Sequence, residues 1–223
     1  MPPRKRASSG QIDQPQIELS ELQQIDQKES IVSEEYCFQQ RWNEARLDGQ
    51  QAEDICLEQV IAHKLHLQAA ELLRAQLLDC RIENSDLANC SLEKAYLRRD
   101  AFFNSRMLGI KLIDADLEDL QVHRCNLNLA RIWNSSFKQA RFEQCSFQEA
   151  SFDGSNLADA VFRNCDLSRA DLRNAKLKGA DLRGSQLQGV QISLANLVGA
   201  IVDEEQALYL MQLFGVIVRP QEV

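Results

Sequence analysis

The sequence predicts an all-β solenoid, in which short strands coil around one filled core. The first observation is a period of five: from Leu67 to Val202 every fifth residue is bulky and apolar, without a break in phase. Because 44% of the chain is hydrophobic, chance would give such an unbroken run with a probability of about 10⁻¹⁰. The second observation is a row of Ala, Ser and Cys two positions before most of these bulky residues. The third is a row of Gly and Asn two positions after many of them.

A period of five fits neither a helix nor a plain strand. On a helix each fifth residue drifts around the cylinder, and on a strand an odd step alternates between the two faces. A small and a bulky residue two apart, however, both point inward in a short extended segment. Gly and Asn then supply the positive φ that a corner requires. We therefore expect one side and one corner per five residues, with each turn stacked on the last.

Several five-residue units resemble a known repeat. The clearest are Ala-Asp-Leu-Arg-Asn at 170–174, Ala-Asp-Leu-Arg-Gly at 180–184 and Ala-Asn-Leu-Val-Gly at 195–199. They resemble the pentapeptide-repeat family, whose pattern covers residues 75–202 here. The resemblance implies a right-handed quadrilateral β-helix with four pentapeptides per coil.

A twenty-residue period in the sequence agrees with four sides per coil. Cys125, Cys145 and Cys165 recur at this spacing in the small inward row and should stack about 4.8 Å apart. Buried free Cys acts as a compact hydrophobe, so we interpret these thiols as core residues in preference to a disulfide or metal site. One complete coil is predicted to be filled by aromatic rings, those of Phe137, Phe142, Phe147 and Phe152.

The chain divides into four predicted segments. Residues 1–30 are polar and resemble a disordered tail. Residues 31–74 continue the phase imperfectly and are either degraded coils or a helical cap. Residues 75–202 form the β-helix, and residues 203–223 form a short C-terminal capping helix followed by a strand at 216–218.

The C-terminal segment is predicted to cap the barrel or to form a dimer. Asp203 has the features of an N-cap, and Gly215 is a natural helix stop. This ending resembles that of the quinolone-resistance and gyrase-inhibitor branch of the family, where it forms the homodimer. A monomeric end cap is the alternative. The predicted dimerisation residues are Leu210, Met211, Phe214, Val216 and Val218.

Residues 96–122 depart from the small-residue rule. Asp100 stands where Ala, Ser or Cys is expected, and an inward carboxylate is costly unless hydrogen-bonded. A distorted coil is therefore expected there. Outward apolar residues in this region, Phe103, Ile113 and Trp133, form a candidate partner patch. The alternative is that the N-terminal segment folds back and covers them.

The sequence gives no support for catalysis. The three histidines lie in no recognised motif, and a barrel filled by its own side chains leaves no cavity for a substrate. We therefore predict a protein that is not an enzyme, with no catalytic residues, no cofactor and no metal site. We also predict a cytoplasmic location, because no signal peptide or membrane-spanning run is visible.

Charge bears on the choice between two binding functions. The net charge is −8, but residues 77–202 contain 16 basic and 16 acidic residues, so the acidity lies at the ends. The balanced rod favours a rigid protein-interaction scaffold that forms a homodimer. The resemblance implies the alternative, a DNA mimic that modulates DNA gyrase or another type II topoisomerase. Arg4, Lys5 and Arg6 are too few to predict direct nucleic-acid binding.

Overall fold

The computed structural model of the protein describes residues 12–219, and in this part of the chain every regular element but two is a β-strand. The exceptions are a 3₁₀ turn at Leu19–Glu21 and one α-helix, α1, at Glu204–Leu213. The strands are β1 (Gln23–Asp26), β2 (Tyr36–Phe38), β3 (Gln40–Asn43), β4 (Gln51–Glu53), β5 (Cys56–Glu58), β6 (Ile61–His63), β7 (Glu71–Leu73), β8 (Gln76–Leu78), β9 (Arg81–Glu83), β10 (Tyr96–Arg98), β11 (Ala101–Phe103), β12 (Lys111–Ile113), β13 (Asp116–Glu118), β14 (Gln121–His123), β15 (Arg131–Trp133), β16 (Ser136–Lys138), β17 (Arg141–Glu143) and β18 (Val161–Arg163).

The strands form the four faces of a quadrilateral β-helix, as the sequence predicted. Face 1 is an eight-stranded parallel sheet ordered β1-β3-β6-β9-β11-β14-β17-β18. Face 2 follows it along the chain and is held by single parallel bridges from Arg46 to Gln186. Face 3 contains the pairs β4-β7 and β12-β15, and face 4 is the six-stranded sheet from β2 to β16. Face 1 is therefore opposite face 3.

Residues twenty apart pair across successive coils. Phe142, for example, pairs with Val122 on one side and with Phe162 on the other. The ladder continues where strands are too short to be named: the N–H of Asp166 donates to the carbonyl of Cys145 at 2.9 Å. No projecting loop interrupts the register between β3 and β18.

From Gln39 to Arg169 every corner uses a left-handed residue, and most of these residues are not glycine. Leu129 has φ 59°, and Arg74, Lys94 and Glu149 have φ 56–57°. A left-handed conformation costs an L-residue about 1–2 kcal/mol. The inter-coil hydrogen bonds offset this cost, as when the Leu129 N–H donates to the carbonyl of Gln148 at 2.9 Å.

The core consists of the two inward rows. The bulky row from Leu67 to Leu187 is buried throughout, as are the Ala, Ser and Cys residues beside it. The predicted aromatic coil is present: the Phe147 ring lies 5.2 Å from that of Phe142 and 5.5 Å from that of Phe152. Phe162, from the next coil, stacks on Phe142 at 4.8 Å between ring centroids.

The β-helix begins earlier than the boundary at residue 75. Of the two alternatives for residues 31–74, the structure has coils, with strands β2 to β7. The prediction of a disordered tail is wrong for residues 12–30, because β1 pairs with β3 in register from Gln23↔Gln40 to Asp26↔Asn43. Residues 1–11 lie outside the described residues.

The distortion expected at Asp100 is absent. This residue is 1% exposed, and its Oδ1 accepts a hydrogen bond from the backbone N–H of Cys80 at 2.7 Å. The strands on either side, β10 and β11, keep the twenty-residue register. Burial instead raises the pKa of the carboxyl group well above 3.8, so the coil accommodates a neutral acid of nearly the size of the expected small residue.

Candidate functional site

Helix α1 closes the C-terminal end of the barrel. Asp203 is its N-cap: Oδ1 accepts from the Gln206 N–H at 2.9 Å, and Gln206 Oε1 accepts from the Asp203 N–H at 3.0 Å. This capping box satisfies donors that the helix start leaves unpaired. The backbone N–H groups of Gln206 and Gly184 both donate to the Asp203 carboxylate and hold its pKa below its usual value.

Side chains of α1 also form hydrogen bonds with backbone groups in the last coils of the barrel. Gln206 Nε2 donates to the carbonyls of Leu182 and Ser185 at 2.6 and 2.7 Å. The Tyr209 hydroxyl accepts from the Gly189 N–H at 2.7 Å. These bonds occupy the backbone groups that the end of a β-helix would otherwise leave open. The helix is therefore a cap that is fixed to the rod.

The cap exposes an apolar surface on its outer side, which we call the C-terminal apolar end. Met211 is 37% exposed, and Ile217, the most exposed member, is 79% exposed. So much exposed aliphatic surface at one end of a rod is typical of a contact surface. Its members are Leu194, Val198, Leu208, Met211, Leu213, Val216, Ile217 and Val218.

Two of the predicted dimerisation residues do not lie on this surface. Leu210 is buried against the barrel end, and Phe214 is half-buried on the same core. Both face inward because they close the barrel of their own chain. Met211, Val216 and Val218 are exposed, as a contact residue must be. The predicted strand at 216–218 is absent, since residues 216–219 belong to no regular element.

The candidate partner patch is divided between two faces. Ile113 and Trp133 pair across β12 and β15 on face 3, as their spacing of twenty predicted. Phe103 lies in β11 on face 1, the opposite side of the rod. A separation of ten residues is half a coil, so the three side chains cannot form one surface.

Each half of the divided patch has polar neighbours. Trp133 is 36% exposed, its Nε1 donates to Ser151 Oγ at 2.9 Å, and the Arg131 guanidinium lies 5.8 Å from its ring. Phe103 is half-buried, with the Arg81 guanidinium 4.7 Å above its ring and the His123 ring 6.3 Å away. Trp133 is thus the more accessible aromatic residue.

The N-terminal segment folds back, but not over Ile113 and Trp133. Residues 12–22, which we call the N-terminal strap, run along the corner between face 4 and face 1. The Gln16 N–H donates to Asp79 Oδ1 at 2.9 Å, and the Asp13 N–H donates to Asp119 Oδ1 at 3.3 Å. Face 3, with Trp133, lies on the far side of the rod.

The strap buries charged groups at this corner. Asp79 and Arg99, twenty residues apart, form an ion pair in which both side chains are largely buried. The pair raises the pKa of Arg99, chiefly through the hydrogen bonds that Arg99 donates to Asp79. Asp119 has a raised pKa, because burial under the strap outweighs the hydrogen bond from Asp13.

Several acidic residues on the repeat are paired with arginine. Asp181 accepts from both Arg163 and Arg183, at 2.9 and 2.8 Å, and these bonds lower its pKa far below 3.8. Asp171 pairs with Arg173 in the same way. These pairs place charges of opposite sign side by side on the rod surface.

Potential catalytic groups remain scattered. Within residues 12–219, no three His, Cys, Asp or Glu side chains are grouped so that they could hold a metal ion. The cysteine column is buried as predicted, and burial raises the pKa of Cys125 to about 11 and that of Cys90 to about 12. In the same span no helix is long and apolar enough to cross a membrane.

Sequence comparison agrees with the geometry of the coils. A family model described as the pentapeptide repeat region matches residues 135–208, and the same period continues through the structure on the N-terminal side of the match. Residues 135–208 are thus similar to the pentapeptide repeat region. No match to a curated protein sequence was found.

Solved structures with similar coils include full-length QnrB1, a plasmid-mediated fluoroquinolone resistance protein. It is 18% identical over 87% of this chain and all of that one, with a TM-score of 0.44. HetL, a pentapeptide repeat protein involved in heterocyst differentiation regulation from the cyanobacterium Nostoc sp. strain PCC 7120, is 19% identical. The match covers 82% of this chain and 87% of that one, with a TM-score of 0.33.

Proposed function

We propose that this protein is a non-enzymatic interaction scaffold, built from two rods joined at their C-terminal ends. The observation that carries the proposal is the C-terminal apolar end. The cap already closes its own barrel with Leu210 and Phe214, so the exposed side chains beyond them serve no purpose within one chain. Two copies meeting about a twofold axis would cover them mutually, as an isologous interface requires.

The scaffold role follows from the form of the rod. Its interior is filled by the protein's own side chains, and its flat faces present mixed charges and Trp133. A rigid filled rod can position partner proteins but offers no enclosed site for chemistry. Face 3, with the half-exposed Trp133 under Arg131, is the surface that we assign to a protein partner.

Light scattering on the full chain tests the dimer. We expect a dimer for the wild type and a monomer for Met211→Asp/Ile217→Asp, because two carboxylates would be desolvated in an apolar contact. Leu129→Asp is the matched control, since Leu129 is 52% exposed on the rod itself, and it should remain dimeric. A wild-type monomer at high concentration, or dissociation of the control, would contradict the proposal.

A supercoiling assay distinguishes the scaffold from a topoisomerase modulator. The alternative requires a long acidic surface, and the Asp–Arg pairs of the repeat count against one. We therefore expect the purified dimer to leave gyrase supercoiling unchanged. Inhibition at micromolar protein would replace the scaffold with a gyrase modulator.

A further inference from the structure

Two exposed aromatic side chains lie together at the N-terminal end of face 4. Tyr36 and Phe38 are the first and last residues of β2, the edge strand of this face, so both point outward. They are 57% and 42% exposed, and their rings are stacked with 6.0 Å between the centroids. Neighbouring aromatic side chains that stay this exposed are typical of a contact surface. We call these two residues the β2 aromatic pair.

Carboxylates surround the β2 aromatic pair. Glu58 lies beside Phe38 on the next strand, and its Oε2 accepts a hydrogen bond from the Tyr36 hydroxyl at 2.6 Å. The described part of the chain gives Glu58 no ion-pair partner. Glu34 lies at the corner before Tyr36, and Glu21 lies beside the corner that follows Phe38. Negative charge is therefore present on three sides of the two rings.

This end of the rod is strongly acidic as a whole. Residues 12–58 contain twelve acidic and three basic residues, whereas residues 77–202 are balanced. Of the three basic residues, Lys28 is already paired with Glu35. A positively charged segment of another protein would therefore be attracted to this end in preference to the balanced coils beyond it.

Elsewhere the rod covers outward aromatic rings with its own cations. The Arg81 guanidinium lies 4.7 Å from the centroid of the Phe103 ring, and the Arg131 guanidinium lies 5.8 Å from that of Trp133. Among residues 12–219, no cation lies over either ring of the β2 aromatic pair. Open ring faces that are bordered by carboxylates form an environment that favours a guanidinium group.

The equivalent position three coils further along face 4 has a cation of its own. Tyr96 begins β10 as Tyr36 begins β2, and its hydroxyl also donates to a carboxylate on the next strand, that of Glu118, at 3.5 Å. The third residue of β10 is Arg98, which is the register partner of Glu118. The third residue of β2 is Phe38, so the first coil has the tyrosine and the carboxylate without the arginine.

We propose that the β2 aromatic pair and Glu58 bind an arginine side chain that a partner protein presents on an extended basic segment. The guanidinium group lies over the rings and donates to Glu58, while further basic side chains of the segment face Glu34 and Glu21. Arginine fits better than lysine, because its planar group can stack on a ring and donate to a carboxylate at the same time.

This surface adds a partner to the proposed scaffold but is independent of its other contacts. It uses neither the C-terminal apolar end nor face 3, and it lies at the end of the rod remote from α1. The binding experiment can therefore fail while the dimer is confirmed, and the reverse.

Fluorescence anisotropy with the full-length protein tests the proposal. The probe is a fluorescein-labelled peptide of alternating glycine and arginine, and the same peptide with citrulline in place of arginine is the uncharged control. Tyr36→Ala/Phe38→Ala should weaken binding of the arginine peptide about tenfold, or about 1.4 kcal/mol, through the loss of two cation–π contacts. Tyr96→Ala is the matched control from the same column and should leave the affinity unchanged.

Charge substitution gives a second readout. Glu58→Gln keeps an acceptor for the Tyr36 hydroxyl but removes the charge, so it should weaken binding up to about fivefold. Glu118→Gln makes the same change in net charge and should have no effect. Circular dichroism confirms that the variants are folded. Equal losses in the two glutamate variants, equal binding of the citrulline peptide, or no binding of the arginine peptide by wild type would overturn the proposal.

Discussion

Replacing Phe147 by alanine should remove the centre of the aromatic coil. The side chain is fully buried, with ring centroids of three other phenylalanines, Phe142, Phe152 and Phe162, within 5.2 to 5.7 Å. The rod is closed on four sides and stacked above and below, so the neighbours cannot collapse into the cavity. We therefore expect Phe147→Ala to lower the free energy of unfolding by about 3–5 kcal/mol.

Urea denaturation followed by circular dichroism measures this loss, with Cys145→Ser as the control from the neighbouring inward row. Ser105 and Ser185 already occupy that column, and Ser185 Oγ donates to the carbonyl of Phe162 at 3.1 Å. A serine at 145 can make the equivalent bond, so its cost should stay below about 1 kcal/mol. If Cys145→Ser proves more destabilising than Phe147→Ala, the assignment of the aromatic coil as the main source of core stability is wrong.

Two further predictions concern single sites. The pKa of Asp100 is raised in the folded protein. Its contribution to stability is therefore greatest below its unfolded pKa of about 3.9. This contribution is lost as pH rises toward the folded pKa, by up to about 1.4 kcal/mol per pH unit. Asp100→Asn should therefore gain stability relative to wild type as pH rises above 4 in denaturant titrations, and a difference that is independent of pH would refute the neutral carboxyl. Gly154→Ala should cost about 1 kcal/mol more than Gly49→Ala, because a Cβ at Gly154 clashes with Asn134 Oδ1 whereas one at Gly49 meets nothing within 4 Å. Equal melting temperatures would contradict this.

The repeat could be predicted because every coil uses the same local rule. A small and a bulky residue two apart both face the core, whichever coil they belong to. The spacing from Leu67 to Val202 therefore shows directly which side chains point inward. The corners were harder to recognise, since Leu129 and Lys94 adopt the left-handed conformation without being Gly or Asn. There the inter-coil hydrogen bonds override local propensity.

Contacts between distant segments could not be predicted in this way. The strap is held by Asp79 and Asp119 through its backbone N–H groups, and backbone donors leave no signal in the sequence. Asp100 was misjudged because its protonation state depends on a burial that only the assembled coil provides. The placement of Phe103 and Trp133 on opposite faces, by contrast, follows from the sequence alone. Their positions differ by half a coil, and such positions must lie on opposite faces.

Small-angle X-ray scattering of the full-length protein tests the end-to-end scaffold most directly. Nine coil spacings separate Ile25 from Val202, so one rod is roughly 50 Å long with its cap. The account predicts a particle of dimer mass with a maximum dimension of roughly 100 Å. A particle of monomer mass, or a dimer no longer than one rod, would contradict it.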